Sequence, residues 1–148
     1  MAALVPQFER ASTLERLGGV VGRFADSSYD VALFSLERPE RRAREFALLA
    51  DPGRVDGVLV VSMSPTDAEV AQFRSAGIPV VVIDGQHTSV PSIVIDDTAG
   101  GELATRHLID LGHRRIAFVG DPPGGPYHPT TRYGRLEGYR TSLGAAGL

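Results

Sequence analysis

Two apolar runs decide the fold class: VDGVLVV at residues 55–61 and IPVVVI at residues 78–83. Neither run alternates apolar with polar residues at its core, which is typical of strands that are buried on both faces of a parallel sheet. The segment between them is predicted to be a helix, with Ser64 as its N-cap, Pro65 at its first position and Gly77 just beyond its end. Strand, helix and strand in this order predict a βαβ unit.

The same alternation continues on both sides of this unit. Further strands are predicted at residues 2–5, 29–36, 92–95 and 115–119, and further helices at residues 13–26, 41–50, 97–111 and 131–146. Ser12 or Thr13 could cap the first of these helices, and residues 96–98 offer caps for the third. The strand at residues 92–95 is a candidate for an antiparallel edge. The sequence therefore predicts a three-layer α/β fold, a mainly parallel sheet with helices on both faces, with no internal linker.

Length and composition exclude several kinds of protein. The chain has 148 residues, of which 43% are apolar and 22% are charged, as expected for a soluble globular domain. The net charge of −3 gives no support for nucleic-acid or membrane-surface binding by these residues. Neither Cys nor Lys occurs, which excludes thiolate metal ligands, Cys nucleophiles and Schiff-base lysines. No bilayer-spanning run and no signal peptide are visible, so a cytoplasmic protein is predicted.

Sheet geometry predicts where a ligand would bind. In an open parallel sheet, ligands bind beyond the carboxyl ends of the strands. This rule selects the loops at residues 6–12, 37–41, 62–64, 84–87, 96–98 and 120–135. Asp96 and Asp97 in one of these loops could cap the following helix, or one of them could accept hydrogen bonds from a polar ligand. Arg135 could belong to a solvated helical face or could offer its planar guanidinium group to a hydroxyl or carboxylate.

Motifs for other chemistry are absent or incomplete. Gly18, Gly19 and Gly22 lie within a helical pattern rather than between strand and helix, so they are interpreted as sites of close helix approach. The run GDPPGGP at residues 120–126 lacks the Gly-Lys-Ser/Thr ending of a phosphate loop. His107 and His113 are six residues apart, which is not a helical metal-ligand spacing. No catalytic residue, metal site or cofactor is therefore predicted.

From residue 55 onward the sequence resembles the effector-binding core of the LacI/GalR family of bacterial transcription regulators. The segments that carry the resemblance occur in order and at matching spacing: VDGV at residues 55–58, AGIPVV at 76–81, IDDTAG at 95–100, HLIDLGHRRIAF at 107–118 and RLEGYR at 135–140. About 90 residues resemble the family well, and the first 54 resemble it through the order of their strands and helices.

The resemblance implies a periplasmic-binding-protein-like type I fold, in which two α/β lobes enclose a cleft. Residues 1–148 would be most of the amino-terminal lobe of a truncated chain, without the second lobe or the helix-turn-helix domain that grips operator DNA. The implied function is regulation of transcription by a small, sugar-like effector in the cleft, without catalysis and without a membrane, in a homodimer. Two alternatives stay open: a sugar-binding protein of a transport system, and a small flavodoxin-like enzyme with a bound cofactor.

The resemblance also implies a set of effector-binding residues. They lie after the first strand, at the start of the helix near residue 97 and on the last helix: Gln7, Phe8, Ser12, Asp96, Asp97, Thr131 and Arg135. Arg135 matches best, because it directly precedes Leu-Glu-Gly-Tyr. The loop around Gln7 departs from the Asp/Asn-Pro-Phe-Phe character of the family, and Asp84-Gly85 replaces its common Asp-Arg.

Overall fold

The computed structural model describes residues 1–36, 38–120 and 130–148, with Thr130 by its backbone alone. The chain forms two compact units, Met1–Val94 and Ile95–Leu148. The sequence predicts no boundary between them, so this division is new information from the structure. The assignment of residues 1–148 to a single amino-terminal lobe stays a prediction.

The first unit contains a five-stranded sheet in the order β2-β1-β3-β4-β5, and every pair of neighbours is parallel. Its strands are β1 (Ala2–Val5), β2 (Ala32–Ser35), β3 (Val58–Val61), β4 (Val80–Ile83) and β5 (Ser92–Ile93). The predicted α/β class and the parallel sheet are confirmed. The antiparallel alternative for β5 is wrong, because Ile83 and Ile93 pair in a parallel register.

Three helices cover this sheet: α1 (Ala11–Phe24), α2 (Arg42–Leu49), which follows a single 3₁₀ turn at Pro39–Arg41, and α3 (Asp67–Ser75). Every residue of β3 is buried, as its uninterrupted apolar run predicts, and so is every residue of β1. The other such run, β4, is buried at Val80 and Val82 but only half-buried at Val81 and Ile83. Leu17 of α1 packs on Ala3, Val5 and Leu59, which point to one face of the sheet. Phe46 of α2 and Phe73 of α3 are buried apart from that cluster, with ring centroids 5.6 Å apart.

The helix starts differ from the predicted ones. Arg10 is the N-cap residue of α1 and makes no side-chain cap, whereas Thr13 lies within the helix and is buried. Thr66 Oγ1 accepts a hydrogen bond from the Glu69 amide, and the Glu69 carboxylate accepts one from the Thr66 amide, which together form a capping box. Ser64 instead accepts a hydrogen bond from the Gln86 amide. The reciprocal pair satisfies two helix N–H groups, which a cap by Ser64 would not.

A largely buried ion pair connects the start of α2 with the start of α3. Arg42 donates from Nε to Glu69 Oε1 (2.6 Å) and from Nη2 to Glu69 Oε2 (2.7 Å). The same Nη2 reaches the carbonyl oxygen of Ser64 at 3.0 Å, and the guanidinium carbon lies 5.5 Å from the centroid of the Phe46 ring. Burial by itself raises the pKa of Glu69, but the hydrogen bonds from Arg42 and the Thr66 amide hold it below its ordinary value. This bidentate pair holds the first turns of α2 and α3 together.

The second unit is a pair of tightly packed helices, α4 (Asp97–Asp110) and α5 (Thr130–Ala145). Their backbones approach closely at Gly101 and Gly138: a Cβ atom at Gly101 would overlap the carbonyl oxygen of Arg135, and one at Gly138 would overlap that of Thr98. No described atom of another element lies within 4 Å of a Cβ built on Gly18, Gly19 or Gly22. The prediction that those three glycines allow close helix approach is therefore wrong, and glycines of the second unit have that role.

The predicted strand at residues 115–119 is also wrong, since these residues form no strand. Instead, Tyr139 of α5 donates a hydrogen bond to the carbonyl oxygen of Ile116 (2.8 Å) and its ring packs on Phe118 at 5.5 Å. Val119 is 93% exposed. An apolar run becomes a strand only where a neighbouring strand pairs with it, and the second unit contributes none among its described residues. Over the described part of the chain, no helix combines the length and apolar character needed to cross a membrane.

Candidate functional site

The carboxyl edge of the first unit carries a polar cluster. Ser62 follows β3 and Asp84 follows β4, and both have φ of 56°, a left-handed conformation that is uncommon for residues other than glycine. Ser62 Oγ donates to Asp84 Oδ2 (3.2 Å), and Arg16 Nη2 lies 3.0 Å from the same oxygen. Backbone strain of this kind concentrates at binding sites. The loops at residues 62–64 and 84–87 were predicted for a ligand, but Arg16 was not.

Arg16 is not among the predicted ligand residues, because it lies within α1 rather than in one of the selected loops. Its position offers a signal all the same: it is in the second turn of the helix that follows β1, and that end of the helix faces the carboxyl edge of the sheet. Gly85 follows Asp84, and only glycine fits at this position, because a Cβ atom would overlap the carbonyl oxygen of Met63. The arginine expected after Asp84 in the family therefore has no room in this backbone.

The predicted ligand residues of the first unit all follow β1. Gln7 and Phe8 lie in the loop before α1, and Ser12 is the second residue of α1. Phe8 and Ser12 are exposed and Gln7 is half-buried. All three are therefore accessible to a ligand, and their predicted role stays a prediction. Two of the selected loops are described only in part, because residue 37 and residues 121–129 lie outside the described residues.

In the second unit, Arg135 and Asp97 form an ion pair. Arg135 Nε donates to Asp97 Oδ1 at 2.8 Å, with the Arg135 side chain 54% exposed and that of Asp97 12% exposed. Gly134 permits this approach, since a Cβ atom there would lie 2.9 Å from Asp97 Cβ. Asp96, not Asp97, caps α4 by accepting a hydrogen bond from the Ala99 amide (2.9 Å). The capping role thus belongs to Asp96, and a ligand contact by either carboxylate stays a prediction.

A groove of about 490 Å³ in the second unit has Asp96, Asp97 and Arg135 in its wall. Its other lining residues are mainly apolar, and they include Leu108, Ile116 and Phe118. Thr131, one turn before Arg135 on α5, is half-buried and does not line the groove. A mainly apolar groove with a few convergent polar groups is typical of a site for a small molecule. Within residues 1–36, 38–120 and 130–148, no three His, Asp or Glu side chains come together to hold a metal ion.

Comparison with known proteins gives one consistent result. Residues 23–148 match the family described as periplasmic binding proteins and sugar binding domain of LacI family. The ribose operon repressor of Escherichia coli K12 is 34% identical over 138 residues, which are 90% of this chain and 40% of the repressor. The HTH-type transcriptional regulator CelR of Thermobifida fusca is 39% identical over 99 residues, 64% of this chain and 28% of CelR.

Solved structures agree with the sequences. A complex of the transcriptional regulator CelR with cellobiose is 31% identical, has a TM-score of 0.80 and is matched over 99% of this chain and 46% of its own. A LacI-family transcriptional regulator from Mycobacterium smegmatis is 34% identical, with a TM-score of 0.75 and coverage of 99% and 52%. The chain thus spans less than half the length of these curated relatives and about half of these solved chains.

Proposed function

This chain belongs to the family of periplasmic binding proteins and LacI-type sugar-binding domains, and we propose that it is the ligand-sensing part of a transcription regulator. Its ligand would be a small, sugar-like effector. The observation that carries the proposal is the exposed Arg135, held by Asp97 in the wall of a groove. A guanidinium group donates to sugar hydroxyls in a fixed planar geometry, and a carboxylate accepts from them.

The proposed mechanism is binding without catalysis. An effector that binds one conformation of the protein better than another shifts the population towards it, by as much as the two affinities differ. Operator DNA would be gripped by a helix-turn-helix domain outside these residues, which places the proposed action in the cytoplasm. From the resemblance, Gln7, Phe8, Ser12, Asp96 and Thr131 are proposed as further effector contacts.

Titration calorimetry tests this function. Ribose and cellobiose are reasonable first ligands, since relatives are named for a ribose operon and solved with cellobiose. We expect Arg135→Ala to weaken binding of the effective sugar about tenfold, because a charge-assisted hydrogen bond is lost. Arg140→Ala is the matched control, as it removes an exposed arginine from the same helix outside the groove. Equal affinity of the Arg135→Ala variant and the wild type would refute the site.

A second function has some support, because the description of the family also covers periplasmic binding proteins. Such a protein would bind the same class of sugar for a transport system. A helix-turn-helix domain encoded in the same reading frame would decide for the regulator, whereas a secretory signal peptide there would decide for transport.

We also propose that the protein forms a homodimer through α1 and β2. Leu14 and Val21 of α1 and Leu33 of the edge strand β2 are each between 44% and 49% exposed. Leu33 pairs with Ala3, which faces α1, so its side chain points to the same side of the sheet as α1. Gly18 lies between Leu14 and Val21 on one helical face, and its Cβ position is open. This apolar strip suits a second copy of the same surface.

A charge substitution tests the proposed dimer interface. Val21→Arg should weaken self-association at least tenfold in sedimentation equilibrium, because the new charge would be buried at the interface. Gln72→Arg adds the same charge to an exposed position on α3 and should leave the dissociation constant unchanged. An unaltered dimer in the Val21→Arg variant would assign the interface to another surface.

A further inference from the structure

Each unit holds an arginine in a region where a ligand is expected. Each of these arginines already forms an ion pair with an aspartate. Arg135 binds Asp97 at 2.8 Å in the second unit, and Arg16 binds Asp84 at 3.0 Å in the first. Both carboxylates are largely shielded from water, with Asp97 12% and Asp84 13% exposed. Each negative charge is thus fixed close to its arginine, where solvent screens it poorly.

The charges that line the groove also disfavour an anion. They are two carboxylates, Asp96 and Asp97, and one guanidinium group, that of Arg135. Arg132 does not line the groove, and its guanidinium carbon lies 5.3 Å from the centroid of the Tyr133 ring. Among the described residues, the groove therefore offers no surplus of positive charge. A phosphate or carboxylate bound to Arg135 would lie within a few ångströms of the Asp97 carboxylate.

The geometry of the contact between Asp97 and Arg135 also favours an uncharged ligand. Asp97 accepts from Nε, and the two Nη groups have no hydrogen-bond partner within the described part of the chain. More than half of the Arg135 side chain is exposed, so these donors are accessible. A guanidinium group anchored through Nε presents its two Nη nitrogens side by side, which suits two neighbouring hydroxyl oxygens.

We propose that this chain takes an uncharged polyol and discriminates against the phosphorylated or acidic form of the same sugar. Asp97 is the positioning residue: it orients Arg135 and neutralises it, so that the arginine binds hydroxyls without attracting anions. Arg16 and Asp84 form a second arginine–aspartate pair, at the carboxyl edge of the first unit, through Nη2 rather than Nε. This inference rests on the proposed function and adds the charge class of the effector to it.

Matched pairs of ligands test the inference in the full-length protein. Ribose and ribose 5-phosphate, and glucose and glucose 6-phosphate, are titrated by calorimetry at constant ionic strength, and inorganic phosphate serves as the bare anion. We expect the uncharged member of the binding pair to bind at least tenfold more tightly. Asp97→Asn should reduce that preference to about threefold or less, because the anion is no longer repelled. Asp110→Asn removes the same charge at the exposed end of α4, outside the groove, and should keep the full preference.

The possible outcomes separate three claims: the preference for an uncharged sugar, the role of Asp97, and sugar binding itself. Equal or tighter binding of the phosphorylated member overturns the inference and leaves sugar binding intact. A preference unaltered by Asp97→Asn overturns the role of Asp97. If neither member of any pair binds, the proposed function fails and this inference fails with it. The comparison in the wild type needs no variant, so the charge class is decided even if Asp97→Asn does not fold.

Discussion

Gly138→Ala is expected to destabilise the second unit by about 3 kcal/mol, the upper part of the usual range for overpacking. The added Cβ atom would overlap the carbonyl oxygen of Thr98 and would lie 2.6 Å from the amide nitrogen of Glu102. Both are backbone atoms of α4, so no side chain can rotate away to make room. The two helices would have to separate, and the hydrogen bond from Ser142 Oγ to the Glu102 carbonyl would lengthen from 3.4 Å.

Gly144→Ala is the matched control for this substitution. Gly144 lies on the same helix, and nothing is within 4 Å of its Cβ position. Alanine there should stabilise the helix by about 0.5–1 kcal/mol, because glycine loses more backbone freedom on folding. Urea unfolding followed by circular dichroism measures both variants, and hydrogen exchange in α4 and α5 locates the effect. If Gly138→Ala were as stable as the wild type, the close approach of the helices would be disproved.

Arg42→Ala is expected to lower the free energy of unfolding by about 2 kcal/mol. The substitution removes three hydrogen bonds and leaves the Glu69 carboxylate, 11% exposed, without its charged partner. It also removes the guanidinium group that covers the Phe46 ring. The figure lies below that for a fully buried pair because water can partly replace Arg42 at this depth.

Arg106 provides the control. It forms an ion pair with Glu102, one turn earlier on α4, and the two side chains are 63% and 28% exposed. An exposed pair of this kind contributes little, so Arg106→Ala should change the free energy of unfolding by about 0.5 kcal/mol or less. Thermal unfolding of the two variants beside the wild type measures the contrast. Similar losses for both arginines would mean that the burial of the Arg42 pair has no energetic consequence.

The loss on Arg42→Ala should also depend on pH. The pKa of Glu69 in the folded protein lies below its ordinary value of 4.5, so the folded state binds the proton less readily than the unfolded chain does. The ionised carboxylate therefore stabilises the fold above about pH 4.5, and this contribution disappears as the pH falls through the folded pKa. The difference between wild type and Arg42→Ala should be greatest near neutral pH and should shrink in acid. A difference that stays constant down to pH 3 would contradict the assignment.

Local signals in the sequence predicted most of the first unit. The runs VLVV and IPVVVI contain no polar residue, which predicts strands of a parallel sheet. Both form such strands, with β3 buried throughout and β4 half-buried at Val81 and Ile83. Gly77 was predicted just beyond the end of α3, and its φ of 70° is the left-handed conformation that this position requires. These features depend on residues that are close together in the chain, which is why the sequence alone determined them.

The tertiary structure decided the rest. RIAFV at residues 115–119 has the composition of a strand but forms none, because a strand also needs a distant partner. Thr66 rather than Ser64 caps α3, because Glu69 accepts a hydrogen bond from the Thr66 amide and Arg42 of α2 holds the Glu69 carboxylate in place. The pair of Arg135 and Asp97 joins residues 38 positions apart, and Arg16 meets Asp84 over a still longer interval. A sequence shows which residues can carry charge, but only the folded backbone determines which charges face each other, and that pairing sets the chemistry of the groove.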